Sequence, residues 1–200
     1  MKVEILILAA GKSSRMNGKN KLLAPVGALT LFERVITEAL NSSATQVSVM
    51  LHPKVLRLWE ISRNYPINLL STQTKKIGIG YSISSGIHKI SHRNPDGVII
   101  VLADMPKIKN THLDSMIQAF SQNPGKGIVR AATCDGRPGN PVLFSNEFFA
   151  HLIKLKGDNG AKQIIAENQK NVQDLALPGD VASIDLDTPE DWKIWQDSID

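Results

Sequence analysis

The hydrophobic positions of the chain follow two different periods. Short apolar runs such as Ile5–Leu8 and Gly97–Ala103, with its V-I-I-V-L centre, are typical of buried strands in a parallel sheet. Between such runs, stretches such as Leu31–Leu40 have apolar residues every three or four positions, which indicates amphipathic helices. The regular alternation of strand and helix predicts an α/β fold: one Rossmann-like, doubly wound, mostly parallel sheet with helices on both faces.

The same patterns predict the remaining elements. Further strands are expected at Gln46–Leu51, Ile67–Leu70, Ile128–Thr133, Pro141–Phe144, Val172–Ala176 and Val181–Leu186. Further helices are expected at Val55–Arg63, within Ile77–Ile90, at His112–Phe120 with Thr111 as N-cap, at Asn146–Leu155, at Ala161–Glu167 and from Thr188 onwards. Because no internal repeat or linker interrupts this order, we expect residues 1–200 to form a single domain.

Composition narrows the class of protein. Hydrophobic content of 42% and charged content of 21% are ordinary for a globular domain, and no apolar run reaches the roughly 20 residues of a membrane span. One cysteine, Cys134, and no signal-peptide pattern lead us to expect a cytoplasmic protein. The net charge of +4 is spread along the chain and aromatic residues are only 5%, which favours a small phosphorylated ligand over nucleic acid.

The first strand ends in a small-residue, basic loop. Ala9-Ala10-Gly11 follows the apolar run directly, and Arg15 and Lys21 come next. Small side chains let backbone N–H groups approach a phosphate, and the two cations supply charge. The loop is not a P-loop, because Leu6 occupies the position of the first glycine, and it is not a dinucleotide fingerprint, because Ser13 replaces the second glycine.

Acidic residues stand at the ends of two other predicted strands. Asp104 follows the buried run that ends at Leu102, and Asp185 and Asp187 share one face of the last predicted strand. Each of these acids can also serve as a turn or helix-capping residue. In a doubly wound sheet, however, such strand ends face the ligand. Acids opposite a basic phosphate loop predict Mg²⁺ bridging a nucleoside triphosphate.

Six segments together resemble one family. They are Leu8-Ala9-Ala10-Gly11-Lys12-Ser13-Ser14-Arg15-Met16 with Lys21-Leu22-Leu23, then Lys76–Gly86, Leu102–Pro106, Gly136–Val142, Gly157–Ala161 and Asp185–Asp191. In this order they resemble the nucleotidyltransferases that act on molybdenum cofactor, within the nucleotide-diphospho-sugar transferase superfamily. The resemblance extends over nearly the whole chain and implies the fold of that superfamily.

Within the family, the first loop most resembles that of the molybdenum cofactor cytidylyltransferases. Their loop commonly has Ala-Ala-Gly, as Ala9-Ala10-Gly11 does here, whereas the guanylyltransferases more often have Ala-Gly-Gly. The resemblance implies transfer of CMP from CTP to molybdopterin-bound molybdenum, which gives the cytosine dinucleotide cofactor and pyrophosphate. It also implies Mg²⁺ as cofactor and a molybdenum hydroxylase as recipient of the product.

The resemblance also assigns roles to residues. The expected catalytic residues are Arg15, Lys21 and Asp104; the nucleotide-binding residues are Leu8, Ala9, Ala10, Gly11, Arg15, Lys21, Gly80 and Ser82; the substrate-binding residues are Arg137, Asn140 and Asp158; and the metal ligands are Asp104, Asp187 and Asp185. The chain departs from the family at Asn140, where a histidine is usual. The departure matters because an amide can form hydrogen bonds but cannot carry a proton at neutral pH. The chain also has one extra residue between Arg15 and Lys21, and His52-Pro53 where a glycine is expected.

Other functions remain open on the sequence. One alternative keeps the same chemistry but uses GTP with molybdopterin, or a nucleotide with a sugar or polyol phosphate. A second alternative, from another class, is a non-catalytic protein that binds molybdenum cofactor and delivers it. Retention of both Asp104 and Asp187 favours the enzyme, because a carrier has little use for Mg²⁺.

Overall fold

The apolar runs form strands and the periodic stretches form helices in a computed structural model that describes residues 1–11, 20–72, 78–123 and 125–184. The strands are β1 (Val3–Ala9), β2 (Pro25–Val26), β3 (Leu29–Thr30), β4 (Gln46–Leu51), β5 (Asn68–Ser71), β6 (Gly97–Leu102), β7 (Ile128–Ala132), β8 (Pro138–Ser145) and β9 (Val172–Ala176). The helices are α1 (Leu31–Leu40), α2 (Leu56–Ser62), α3 (Ile79–Ser91), α4 (Asn110–Gln122), α5 (Phe149–Leu152) and α6 (Lys162–Glu167).

Seven strands pair into one sheet in the spatial order β5-β4-β1-β6-β8-β7-β9. Strand β1 lies between β4 and β6 and is parallel to both, with Leu6 opposite Ser48 on one side and Ile100 on the other. Strand β8 alone among these seven runs against its neighbours, β6 and β7. The predicted mostly parallel, Rossmann-like sheet is confirmed.

The core lies on both faces of this sheet. Successive residues of β1 point to opposite sides, so Ile5 and Ile7 pack with α1, α2 and α4, while Leu6 and Leu8 pack with α3, α5 and α6. Gly86 lets α3 sit close to β1, because a Cβ placed there would lie 2.5 Å from Leu6 Cδ2. Within the described ranges, no helix is long and apolar enough to cross a membrane.

Helix α1 begins where the sequence pattern places it because its first turn is capped. The Thr30 hydroxyl accepts a hydrogen bond from Glu33 N at 3.2 Å, and the Glu33 carboxylate accepts one from Thr30 N at 2.9 Å. The Thr30 N–H is the main reason that the pKa of Glu33 lies below its ordinary value. Reciprocal capping therefore fixes the entry of the chain into α1.

The start of α4 and the start of the last predicted strand differ from the sequence prediction for identifiable reasons. Helix α4 starts before Thr111, because the Glu38 carboxylate accepts from Asn110 N at 2.8 Å and His112 Nδ1 accepts from Lys109 N at 3.2 Å. The N-cap is therefore Lys109, two residues before the Thr111 cap that the sequence predicts. In the predicted strand Val181–Leu186, residues 181–183 instead form a turn, closed by hydrogen bonds from Ser183 N and Oγ to the Asp180 carbonyl; residues 185 and 186 lie outside the described residues.

An ion pair fixes the edge of the sheet at which β1 begins. Glu4 is fully buried, and its carboxylate accepts hydrogen bonds from Arg93 Nε at 3.0 and 3.1 Å and from Arg93 Nη2 at 2.5 Å. Arg93 Nη2 also donates to Ser48 Oγ at 3.1 Å. Because Arg93 follows the end of α3, the pair connects that helix to β1 and β4.

Replacement of Arg93 by Ala leaves the buried Glu4 carboxylate without its guanidinium partner. We expect the free energy of unfolding to fall by about 3 kcal/mol, as for other broken buried ion pairs. Urea denaturation followed by circular dichroism measures this change. In the control Arg57→Ala, the lost pair with Glu60 is exposed on both sides and should cost less than about 1 kcal/mol; equal losses in the two variants would contradict the role of burial.

Candidate active site

The ends of the parallel strands converge at one edge of the sheet. Strands β1 and β6 run side by side, and the pairing continues past them, because Ala103 N donates a hydrogen bond to the Leu8 carbonyl at 3.2 Å. The small-residue loop after β1 therefore lies beside Asp104, as expected for the ligand edge of a doubly wound sheet. Leu8 and Ala9 are buried, so their side chains pack in the core beneath this edge and do not face solvent.

Gly11 marks the open part of the loop. Gly11 is exposed, and a Cβ placed on it would meet no atom of the described residues within 4 Å, so its backbone is accessible from that side. Arg15, the second predicted cation of this loop, lies outside the described residues and stays a prediction.

Lys21 contacts Asp104. It begins a short 3₁₀ turn, Lys21–Leu23, which Asn20 caps by accepting a hydrogen bond from Leu22 N at 3.1 Å. Lys21 Nζ lies 2.6 Å from Asp104 Oδ2, and the side chains of the pair are only 12% and 21% exposed. The structure thus joins two predicted site residues in a mostly buried, charge-assisted hydrogen bond.

The second oxygen of Asp104 is the feature that points to a cation. Asp104 Oδ1 is buried and accepts no hydrogen bond from the part of the chain that the structure describes. A buried carboxylate oxygen without a donor is costly unless a ligand satisfies it. Mg²⁺ prefers such oxygens and uses one or two carboxylates together with phosphate oxygens, so Asp104 fits this ion.

The described residues contain no group of three or more His, Cys, Asp or Glu side chains that could bind a metal without help. A cation at Asp104 would therefore rely on phosphate oxygens or on residues beyond those described. Asp185 and Asp187, the other two predicted ligands, lie outside the described residues and stay predictions.

The start of α3 lies at the same edge, because this helix connects the end of β5 to the start of β6. Gly80 is buried here, and its N–H donates to the Gly157 carbonyl at 2.8 Å. Gly78, at φ +126°, is equally confined, since a Cβ there would lie 2.3 Å from Gly157 O and 2.7 Å from Asp158 Oδ1. The predicted nucleotide-binding segment is therefore in contact with the segment that carries Asp158, a predicted acceptor-binding residue.

The hydroxyl of Ser82, a predicted nucleotide-binding residue, is not exposed to solvent but bonded within α3. It is 8% exposed, and its Oγ donates to the Gly78 carbonyl at 3.4 Å within its own helix. A neighbouring serine, Ser84, donates to the Ile153 carbonyl and so connects α3 to the segment after α5. In this structure the serines of α3 stabilise the helix and its packing.

The β7–β8 turn carries Arg137 and leads to Asn140. Because β8 runs against β6, its first residues lie at the carboxyl end of β6. The exposed Arg137 guanidinium donates to Asp135 Oδ2 at 2.9 Å, and the Thr133 hydroxyl donates to the other oxygen of Asp135. The Thr133 hydroxyl and then Arg137 hold the pKa of Asp135 below its ordinary value. Asn140 N donates to the Ala182 carbonyl at 2.8 Å, which fixes the start of β8 against the chain after β9.

Three supporting residues were not given a role by the sequence patterns. Asn20 positions Lys21, Gly157 accepts from Gly80, and Asp135 holds Arg137. Asn before a short helical turn is a recognisable capping signal, and Asp-Gly is a recognisable turn signal. The role of Gly157 depends on a contact distant in sequence and has no local signal.

Comparison with known proteins identifies the family. The profile described as "MobA-like NTP transferase domain" matches residues 5–172. The chain belongs to this family. Its domain is thus a nucleotidyltransferase domain, and the site at the carboxyl edge lies within the matched region.

Two curated proteins are similar in sequence to this chain. Purine catabolism protein PucB of Bacillus subtilis (strain 168) is 29% identical over 195 residues, which cover 94% of this chain and 92% of that protein. Bifunctional protein GlmU of Coxiella burnetii (strain CbuK_Q154) is 29% identical over 176 residues, or 88% of this chain but only 36% of GlmU.

Solved structures share the fold. Rv0371c from Mycobacterium tuberculosis H37Rv superposes with a TM-score of 0.84 at 23% identity, covering 98% of this chain and 99% of that one. A manganese complex of the same mycobacterial protein superposes with a TM-score of 0.80 at 22% identity, covering 99% and 100%. At these identities the likeness shows the architecture.

Gly80→Ala tests the contact between α3 and Gly157. Alanine favours helices over glycine by about 1 kcal/mol, but the new Cβ would lie 2.8 Å from Lys156 O and 2.9 Å from Gly157 O. We expect the clash to dominate and the free energy of unfolding to fall by about 1–3 kcal/mol. Thermal and urea denaturation measure the loss. Gly11→Ala, which meets no atom, is the matched control, and a Gly80→Ala variant as stable as the control would contradict the close packing.

Proposed function

We propose that the chain transfers CMP from CTP to molybdopterin-bound molybdenum, giving the cytosine dinucleotide cofactor and pyrophosphate. The observation that carries this proposal is the Lys21–Asp104 pair, with its orphaned Asp104 Oδ1, next to the open loop at Gly11. Cation, carboxylate and accessible backbone together are what a metal-bound triphosphate requires. The choice of CTP depends on Ala9-Ala10-Gly11, which resembles the loop of the cytidylyltransferases.

The reaction needs positioning more than proton transfer. A terminal phosphate of the pterin attacks the α-phosphorus of CTP in line, the new P–O bond forms, and the bond to pyrophosphate breaks. Because the nucleophile is already an anion, no general base is required. The site must hold two anions together and neutralise the charge that develops on the leaving group.

We propose a separate role for each residue of the site. The Lys21 ammonium has three donors, so it can contact phosphate oxygens while it remains near Asp104. The backbone at Gly11 lies against the triphosphate, and Arg15 is proposed to add a second cation. Asp104, with Asp187 or Asp185 as further candidates, would hold a Mg²⁺ ion, which would offset the negative charge of the phosphates.

The two substrates are proposed to meet between α3 and the β7–β8 turn. Gly80 and Ser82 fix the helix end next to the base and ribose. Arg137, which is exposed and already oriented by Asp135, is available to an anionic pterin phosphate, and Asn140 and Asp158 are proposed to bind the same substrate. One relative is named for purine catabolism. We therefore propose to test a molybdenum hydroxylase that acts on a purine as the recipient of the product.

Pyrophosphate release with each of the four nucleoside triphosphates, with and without molybdopterin-bound molybdenum, tests the proposed function. We expect release only with Mg²⁺ and the acceptor, and fastest with CTP. Mass spectrometry should identify the cytosine dinucleotide product. Faster release with GTP would assign the guanylyl reaction, and release with a sugar or polyol phosphate alone would assign a different acceptor. Tight acceptor binding without any release would make the chain a delivery protein.

Asp104→Asn tests the proposed metal ligand. The amide keeps the shape but loses the negative charge, so we expect turnover with Mg²⁺ to fall by about 100-fold or more while the protein stays folded. Asp114→Asn is the control, because Asp114 accepts hydrogen bonds from Ser43 at the opposite edge of the sheet. Normal turnover in a folded Asp104→Asn variant would remove Asp104 from the site.

A further inference from the structure

We propose that Lys21 is an internal counter-cation for Asp104, which disfavours a bare divalent cation and makes the metal bind together with the nucleoside triphosphate. This inference rests on the proposed metal site at Asp104. It adds an order of binding, which the assignment of ligands alone does not contain.

The geometry divides the Asp104 carboxylate between two cations. Oδ2 is occupied by the Lys21 ammonium at 2.6 Å, whereas Oδ1 is buried and without a hydrogen bond among the described residues. A divalent cation on Oδ1 would therefore share one negative charge with an ammonium group on the same carboxylate. Because the pair is largely shielded from water, the repulsion between these two cations is weakly screened.

The backbone positions of both residues are fixed. Lys21 is fixed at the start of its 3₁₀ turn by the Asn20 cap and by buried Leu22. Asp104 is fixed by the Ala103–Leu8 hydrogen bond and by buried Met105 on its other side. Breaking the pair would also leave a partly buried carboxylate unpaired.

A triphosphate removes this obstacle. Its negative charges attract both the ammonium and the divalent cation, so the two cations no longer compete for the single charge of Asp104. The same lysine that contacts phosphate in the proposed reaction thus weakens metal binding before the nucleotide arrives. The metal is then expected to enter as its complex with the nucleotide.

Binding of Mn²⁺ alone, without nucleotide, tests the inference by electron paramagnetic resonance of the free ion. For Lys21→Met we expect the Kd for Mn²⁺ to fall by about tenfold relative to wild type, because the repelling charge is gone. Lys107→Met is the matched control: it removes a lysine from the segment after Asp104 whose partner is Asp180 at 3.5 Å, and it should leave the Kd unchanged. An equal or weaker Mn²⁺ affinity in Lys21→Met overturns the inference.

Two further variants keep the test sharp. Lys21→Gln can still donate a hydrogen bond to Asp104 but carries no charge, so it should tighten Mn²⁺ binding even if Lys21→Met folds poorly. Lys21→Arg keeps the charge and should keep the wild-type Kd. If the gained affinity survives Asp104→Asn in the Lys21→Gln background, the added ion is bound elsewhere and the inference fails.

Failure of the proposed function has a different signature. If no nucleotide yields pyrophosphate but Lys21→Gln still gains Mn²⁺ affinity through Asp104, the counter-cation role stands and the transfer reaction falls. If wild type releases pyrophosphate but removal of the lysine charge leaves Mn²⁺ binding unchanged, the transfer reaction stands and the counter-cation role is overturned.

Discussion

The parallel pairing of β1 with both β4 and β6 is the constraint on which the rest of the structure depends. It requires long crossover helices, which cover the two faces, and it brings the carboxyl ends of the central strands to one edge. The open loop at Gly11 and the Asp104 carboxylate are neighbours for this reason. Reversal of β8 then adds Arg137 and Asn140 to the same edge, because the beginning of a reversed strand lies beside the end of its partner.

Two ion pairs at opposite edges show how similar groups serve different purposes. The Glu4 carboxylate is completely buried and receives three hydrogen bonds from Arg93, so its charge is fully compensated within the protein. Asp104 receives one from Lys21, and its other, buried oxygen accepts none from the residues that the structure describes. A buried carboxylate oxygen without a donor is costly unless a ligand satisfies it, which is why we propose a cation at Asp104 and none at Glu4. The missing hydrogen-bond donor to Asp104 Oδ1 among the described residues is therefore what distinguishes the candidate site from the Glu4–Arg93 pair.

Sequence patterns predicted the fold well where local physics decides it. The bounds of α1, β4 and β9 are those expected from period and propensity. The same patterns failed to predict the start of α4, because the Glu38 and His112 side chains, and not Thr111, cap its first turn. The site was predicted as a set of residues at strand ends, but the pairing of Lys21 with Asp104, 83 residues apart, follows from tertiary structure alone. The tight contact of Gly80 with Gly157 has the same origin.

The central claim is that a metal-bound triphosphate occupies the edge between Gly11, Lys21 and Asp104. Anomalous diffraction from crystals that contain Mn²⁺ and a non-hydrolysable CTP analogue tests it most directly. We expect an anomalous peak within about 2.5 Å of Asp104 Oδ1, with phosphate oxygens completing the coordination and the Lys21 ammonium beside them. A manganese–triphosphate complex bound away from Asp104 would contradict it.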